Sequence, residues 1–105
     1  MKGAIIMTET RFAEIIKKDF PLLATYTPVL ARVHGSGHPE LAEVRDLFAE
    51  MNKKVEQDGV DQVDLTEEFN KLREITSDYQ VPSDGCETYE ATYQMLAKAD
   101  QAYHE

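Results

Sequence analysis

Ala31-Arg32-Val33-His34-Gly35-Ser36-Gly37-His38-Pro39-Glu40-Leu41 is the stretch that decides the fold. It closes one amphipathic segment, turns on two glycines and opens the next segment with Pro39 in the first-turn position that proline favours. Two of the three histidines lie in it, so metal chemistry is sought here first.

Upstream, Phe12, Ile15, Ile16, Phe20, Leu23, Tyr26, Leu30 and Val33 recur every three or four residues, which predicts a helix from Thr10 to His34. Pro21 and Pro28 fall inside it. Each removes a backbone donor and crowds the preceding turn, so a kink or short break is expected near Phe20. Residues 1–9 are expected to form a flexible tail. Their apolar run, Gly3-Ala4-Ile5-Ile6-Met7, is too short for a membrane span or a signal-peptide core.

Downstream, Leu41, Val44, Leu47, Phe48, Met51 and Val55 predict a second helix from Pro39 to about Glu56, broken at Asp58-Gly59. Asp64-Leu65-Thr66-Glu67 has the spacing of a capping box and starts a third helix through Phe69, Leu72 and Ile75, ending before Val81-Pro82. Asp84-Gly85-Cys86-Glu87 repeats that spacing. Tyr89, Tyr93, Leu96, Asp100 and Tyr103 then follow the helical period, with Asp100 the only polar member. Four amphipathic helices, short connections and no strand-like alternation predict a single all-α domain over residues 1–105, an antiparallel up-down-up-down four-helix bundle.

The chain of 105 residues carries a net charge of −9, unevenly spread. Residues 1–34 are net +2, residues 35–80 net −7 and residues 81–105 net −4. Such a surface repels phosphate backbones, so no nucleic-acid partner is expected. The acidic groups read as solvated helix faces or as a docking face for a basic protein partner. Cys86 is the only cysteine, which excludes a disulfide scaffold within the chain and makes a cytoplasmic location the default expectation.

Three separated stretches carry a family resemblance. Phe20-Pro21-Leu22-Leu23 with Arg32-Val33-His34-Gly35 is the first, and His38-Pro39-Glu40-Leu41 with Val44 and Leu47-Phe48 the second. The third is Leu72-Arg73-Glu74-Ile75-Thr76 with Tyr79, Pro82, Cys86, Thr88-Tyr89 and Tyr93. Together they resemble the hemerythrin-like domain of the RIC (repair of iron centres) proteins, di-iron bundles linked to mending iron–sulfur clusters after nitrosative or oxidative damage. The resemblance spans roughly residues 12–105.

It implies a hemerythrin-like bundle, and it also implies that most iron ligands are missing. The family histidine of the Val-His-Gly element matches His34. The earlier helix-one histidine falls on Ala13, the helix-two histidine on Asp58, and both the carboxylate one turn later and the helix-three histidine fall near Gln62. The final His and Glu ligands lie just past His104-Glu105. A carboxylate-bridged di-iron site needs about six or seven inward-facing ligands, and a methyl group cannot replace an imidazole.

The metal candidates are therefore His34, as the one matched ligand, with Asp58 and Gln62 as weaker ones. His34 reads first as a buried or half-buried histidine hydrogen-bonded to a neighbour, ahead of metal ligation. His38 is expected at the surface, and His104 at a frayed end. Cys86 reads as a small structural residue or as a thiol tuned by a helix N-terminus, and the five tyrosines as core and rim. No nucleophile–base pair, phosphate loop, CxxC or HExxH pattern is present, so no catalytic residue is expected.

The function so implied is that of a degenerate RIC-like protein with no complete di-iron centre and no other cofactor, acting through protein contacts in iron–sulfur or nitrosative stress. The alternative is an iron-binding cluster-repair protein whose ligands come from a second subunit or from substitute carboxylates that include Asp58 and Asp61. A third reading makes the chain part of a longer reading frame. A homodimer stays open in all three.

Overall fold

The computed structural model describes residues 10–105, which form four helices and, among the described residues, no strand. They are α1 (Arg11–His34), α2 (Glu40–Asp58), α3 (Thr66–Ile75) and α4 (Glu87–Tyr103). The expected tail, residues 1–9, lies outside the described residues.

α1 begins where its cap predicts, with Thr10 Oγ1 accepting from the Ala13 amide at 3.0 Å. The break expected near Phe20 does not occur, and α1 runs unbroken through both prolines. Pro21 and Pro28 are both on the exposed side. The opposite face buries Phe20, Leu23, Thr27 and Leu30. That packing outweighs the two backbone bonds the prolines delete. Thr27 joins the core without an orphaned hydroxyl, because Oγ1 donates to the Leu23 carbonyl at 2.9 Å.

α1 packs along both α2 and α4, and α3 packs on α2. At one end Phe12 meets Phe69 and Tyr103 with ring centroids 6.4 and 5.3 Å apart. Midway, Phe20 meets Phe48 edge-on at 4.9 Å. Leu23, Met51, Leu65, Phe69, Leu72, Tyr89, Leu96 and Ala99 are fully buried around this seam.

α2 ends at Gly59, whose φ of 84° is the left-handed value expected of a glycine there, and the Gly59 amide donates to the Val55 carbonyl at 2.9 Å. Gly35 plays a different part from the one its sequence suggests. Its backbone is right-handed, and a Cβ there would stand 2.1 Å from the Ala31 carbonyl oxygen. Close approach, not left-handed freedom, excludes a side chain at that position.

α3 stops at Ile75, earlier than Val81-Pro82 alone would require. Ser77, Asp78 and Tyr79 follow with φ of 54°, 62° and 62°, three left-handed residues in a row. They are held by Thr76 Oγ1 accepting from the Tyr79 amide at 2.8 Å and by the Asp78 amide donating to the Arg73 carbonyl at 2.8 Å. The turn delivers the Tyr79 hydroxyl to Asp100, where it donates at 2.6 Å beside Arg73 Nε at 2.9 Å and His104 Nδ1 at 2.9 Å. The polar residue in the apolar stripe of α4 thus binds α3, the following turn and the end of its own helix. Burial and the Asp100 charge push the Tyr79 phenol above its ordinary range.

The core makes a direct expectation. Leu72→Ala, at a fully buried position, lowers unfolding stability by about 2–5 kcal/mol, whereas Leu22→Ala, 45% exposed, changes it by no more than about 0.5 kcal/mol. Denaturant melts of the two variants check this, and equal losses would contradict the assignment of Leu72 to the core and of Leu22 to the exposed face of α1.

Candidate functional site

The end of α1, the α1–α2 turn and the start of α4 meet at one pole. His34 closes α1, and Cys86 is the residue immediately before α4. His34 Nε2 and Cys86 Sγ are 3.5 Å apart, a hydrogen-bonding separation for sulfur. Beneath them, Tyr89 takes both imidazole rings edge-on, His34 at 5.4 Å and His38 at 5.7 Å, and stacks its own edge on Tyr93 at 5.1 Å.

His38 is a clasp more than a surface residue. Its Nε2 lies 3.1 Å from both oxygens of Asp84 on the α3–α4 connection, and its Nδ1 lies 3.4 Å from Glu40 on α2. The hydrogen bond to Asp84 raises the His38 pKa above 6.5, reinforced by the Asp84 and Glu40 charges. The same bond holds the Asp84 carboxyl below its usual range.

Asp84 is therefore engaged with His38, and the cap expected from Asp84-Gly85-Cys86-Glu87 does not form: α4 has no side-chain cap bond. At α3 the helix begins one residue beyond the expected cap, with no side-chain bond from Leu65, although Asp64 Oδ1 still accepts from the Thr66 amide at 3.1 Å.

Tyr89 is fully buried, and its hydroxyl lies beside Tyr93 and Glu40 without a hydrogen bond of good geometry. Desolvation pushes its pKa up, as do the nearby charges of Glu40 and Asp84. Beside this group a cleft of about 480 Å³ opens between His38, Glu40, Thr76, Gln80, Pro82 and Tyr93.

Cys86 is exposed, not a core residue. A thiol–imidazole contact is thus assembled where the sequence displays no such pattern. The two residues are 52 positions apart, and no local motif links them. The nearest signal is that each flanks a glycine turn.

Asp58 and Gln62 lie elsewhere. Both are exposed and line a cleft at the far end of α2 together with Lys54, Asp64, Glu67 and Glu68. At about 1.5 Å per residue the length of α2 alone is about 28 Å, so His34 and this pair cannot bind a common metal ion. Ala13 offers only a methyl group, and the interior between the two ends is filled by Phe20, Phe48, Met51 and Leu96. Among the described residues no three His, Cys, Asp or Glu side chains converge closely enough to hold a metal ion. A carboxylate-bridged di-iron centre does not fit this donor set. One imidazole and one thiol are also fewer than the donors of a closed metal site.

Fold and site together define an all-helical protein with a thiol–imidazole pair at one pole and an aromatic interior where a bundle metal would sit. None of the described helices is long and apolar enough to cross a membrane. The chain is similar to the iron–sulfur cluster repair protein ScdA of Staphylococcus epidermidis, at 27% identity over 136 aligned positions that take in 100% of the chain and 61% of the relative. It is similar also to ScdA of Staphylococcus haemolyticus, at 26% identity over 92% of the chain and 58% of the relative. The chain therefore spans about three fifths of the length of these curated relatives. Both alignments, of 136 and 128 positions, exceed the 105 residues of the chain, so both relatives carry positions within the aligned region that the chain lacks. No known family profile matches the chain, and no solved structure does.

The clasp sets a pH window. The stability from His38 is complete below its unfolded value of about 6.5 and is lost as pH rises through its raised folded value. The stability from Asp84 is present above its ordinary value of about 3.9 and is lost as pH falls through its depressed one. Asp84→Asn is expected to bring the His38 titration, followed by imidazole NMR, down toward the ordinary value. An unchanged titration would show that Asp84 does not hold the ring.

Proposed function

We propose that this chain belongs to the RIC family, folded as an antiparallel up-down-up-down, hemerythrin-like bundle. In this reading it serves iron–sulfur cluster repair through contacts with other proteins, without a complete di-iron centre of its own. Support for the family comes from the similarity to ScdA over the length of the chain. Support for the topology comes from contacts that join the start of α1 to the end of α4 and the end of α1 to the start of α4.

The observation that carries the loss of the centre is the separation of the matched ligand from the other candidates. His34 pairs with Cys86 at one pole, while Asp58 and Gln62 face solvent at the other. With the candidate ligands apart, the chain presents an exposed thiol beside an imidazole at the pole where α1, α2 and α4 meet.

The test is metal stoichiometry of protein purified anaerobically, without a histidine tag, from iron-supplemented cells. Iron well below one atom per chain, together with a cooperative thermal melt, is the expected result. About two iron atoms per chain would overturn the reading and point to ligands supplied by a second subunit or by substitute carboxylates. For the cellular role, recovery of an iron–sulfur enzyme after nitric oxide exposure is expected to slow when the chain is deleted. Unchanged recovery would remove the repair role.

A further inference from the structure

α1 carries a second apolar stripe, on a side that the bundle leaves uncovered. Leu22 and Val33 are the large hydrophobic side chains that stand exposed among the described residues, at 45% and 60%. Between them Tyr26 and Val29 are half-buried, and neither belongs to the core nor packs against it. The four positions are spaced four, three and four residues apart. They therefore fall within about 60° of one another around the helix and run about 16 Å along it. This is the interval of a helix seam that meets a facing helix.

We propose that this stripe is the contact between two copies of the chain, which pair their α1 helices antiparallel about a two-fold axis lying between Tyr26 and Val29. Three observations select a second copy as the occupant. The spacing reads the same in both directions, so an antiparallel copy presents its own stripe in register, Leu22 against Val33 and Tyr26 against Val29, as an isologous contact requires. The chain is net −9, yet no acidic residue occurs from Phe20 to Pro39, so two copies meet here without setting carboxylate against carboxylate. Lastly, the pairing carries exposed Lys18, one turn before Leu22, to the far end of the other copy's α1. There His34 touches Cys86, and the next residue, Glu87, is exposed. An ammonium and a carboxylate thus approach across the interface twice. Three turns of one helix per copy are a small surface beside the roughly 1,200–2,000 Å² that stable complexes bury, so the dimer is reversible and follows concentration. It does not depend on the repair role proposed above.

Sedimentation equilibrium of the full chain, from about 10 μM to about 1 mM, tests the pairing. The mass is expected to rise with concentration from the 11.9 kDa of one chain toward twice that value. Leu22→Lys and Val33→Glu, both at exposed positions, should each weaken self-association at least about tenfold, because each sets an unpaired charge into the contact twice. Mixed in equal amounts, the two variants should associate again. The new ammonium and the new carboxylate then face each other, while the other end of the stripe stays apolar. Glu50→Gln, exposed on α2, should leave association unchanged. If a charge variant does not fold, the double variant Leu22→Ala/Val33→Ala decides by the same weakening. A mass of one chain at every concentration would overturn the proposal and leave the stripe to a different protein. Self-association that both charge variants leave intact, or a mixture of the two that stays monomeric, would equally overturn it, the latter by removing the antiparallel register.

Discussion

The edge-on packing of Phe20 against Phe48, with Leu23 and Leu30 buried along the same face of α1, is the contact on which the architecture depends. α1 is the helix that both α2 and α4 lean on, and it is also the one carrying two prolines. Taken alone, such a segment is a poor helix. It stays whole because both prolines lie on the outside while the inner face is continuous. With α1 straightforwardly helical to His34, the imidazole arrives opposite Cys86, and the turn that follows brings His38 to Asp84.

The two poles have different chemistry for a physical reason. At the pole of His34 and Cys86 the carboxylates of Asp84 and Glu40 share His38, and the connection between α3 and α4 is fastened there. At the opposite pole the carboxylates outnumber their partners. Asp100 avoids the same imbalance on α4 by gathering Arg73, Tyr79 and His104 around one buried carboxylate. Asp19 does so more simply, with Lys98 Nζ at 3.2 Å. Buried carboxylates in this molecule are tolerated where a cation reaches them, and both Asp19 and Glu68 keep a buried oxygen without a hydrogen bond beside their lysine.

Helix identity was legible in the sequence because three-and-four spacing reports a buried face directly. Of the positions assigned inward on α2, Leu41, Val44, Phe48, Met51 and Val55 are buried. The reading failed where a residue had competing partners. Asp84 has the spacing of a cap, yet an imidazole from a turn 46 residues away binds it instead. Val33 fits the stripe of α1 but is 60% exposed, while its neighbour His34 is the residue that meets Cys86 and Tyr89. The thiol–imidazole pair was invisible for the same reason: distance along the chain carries no information about which ends of antiparallel elements will meet. Asp100 was visible as an anomaly in an apolar stripe, though nothing near it in sequence named Arg73 as its partner.

α4 is pinned near both ends, at Cys86 by His34 and at Asp100 by Arg73 and Tyr79. Between these points it is a continuous helix, and a slip of one residue would turn every side chain on it by about 100°. No such slip can release one end and spare the other. The helix behaves as a shaft with a single angular setting, so the three left-handed residues before it act as the index that fixes that angle.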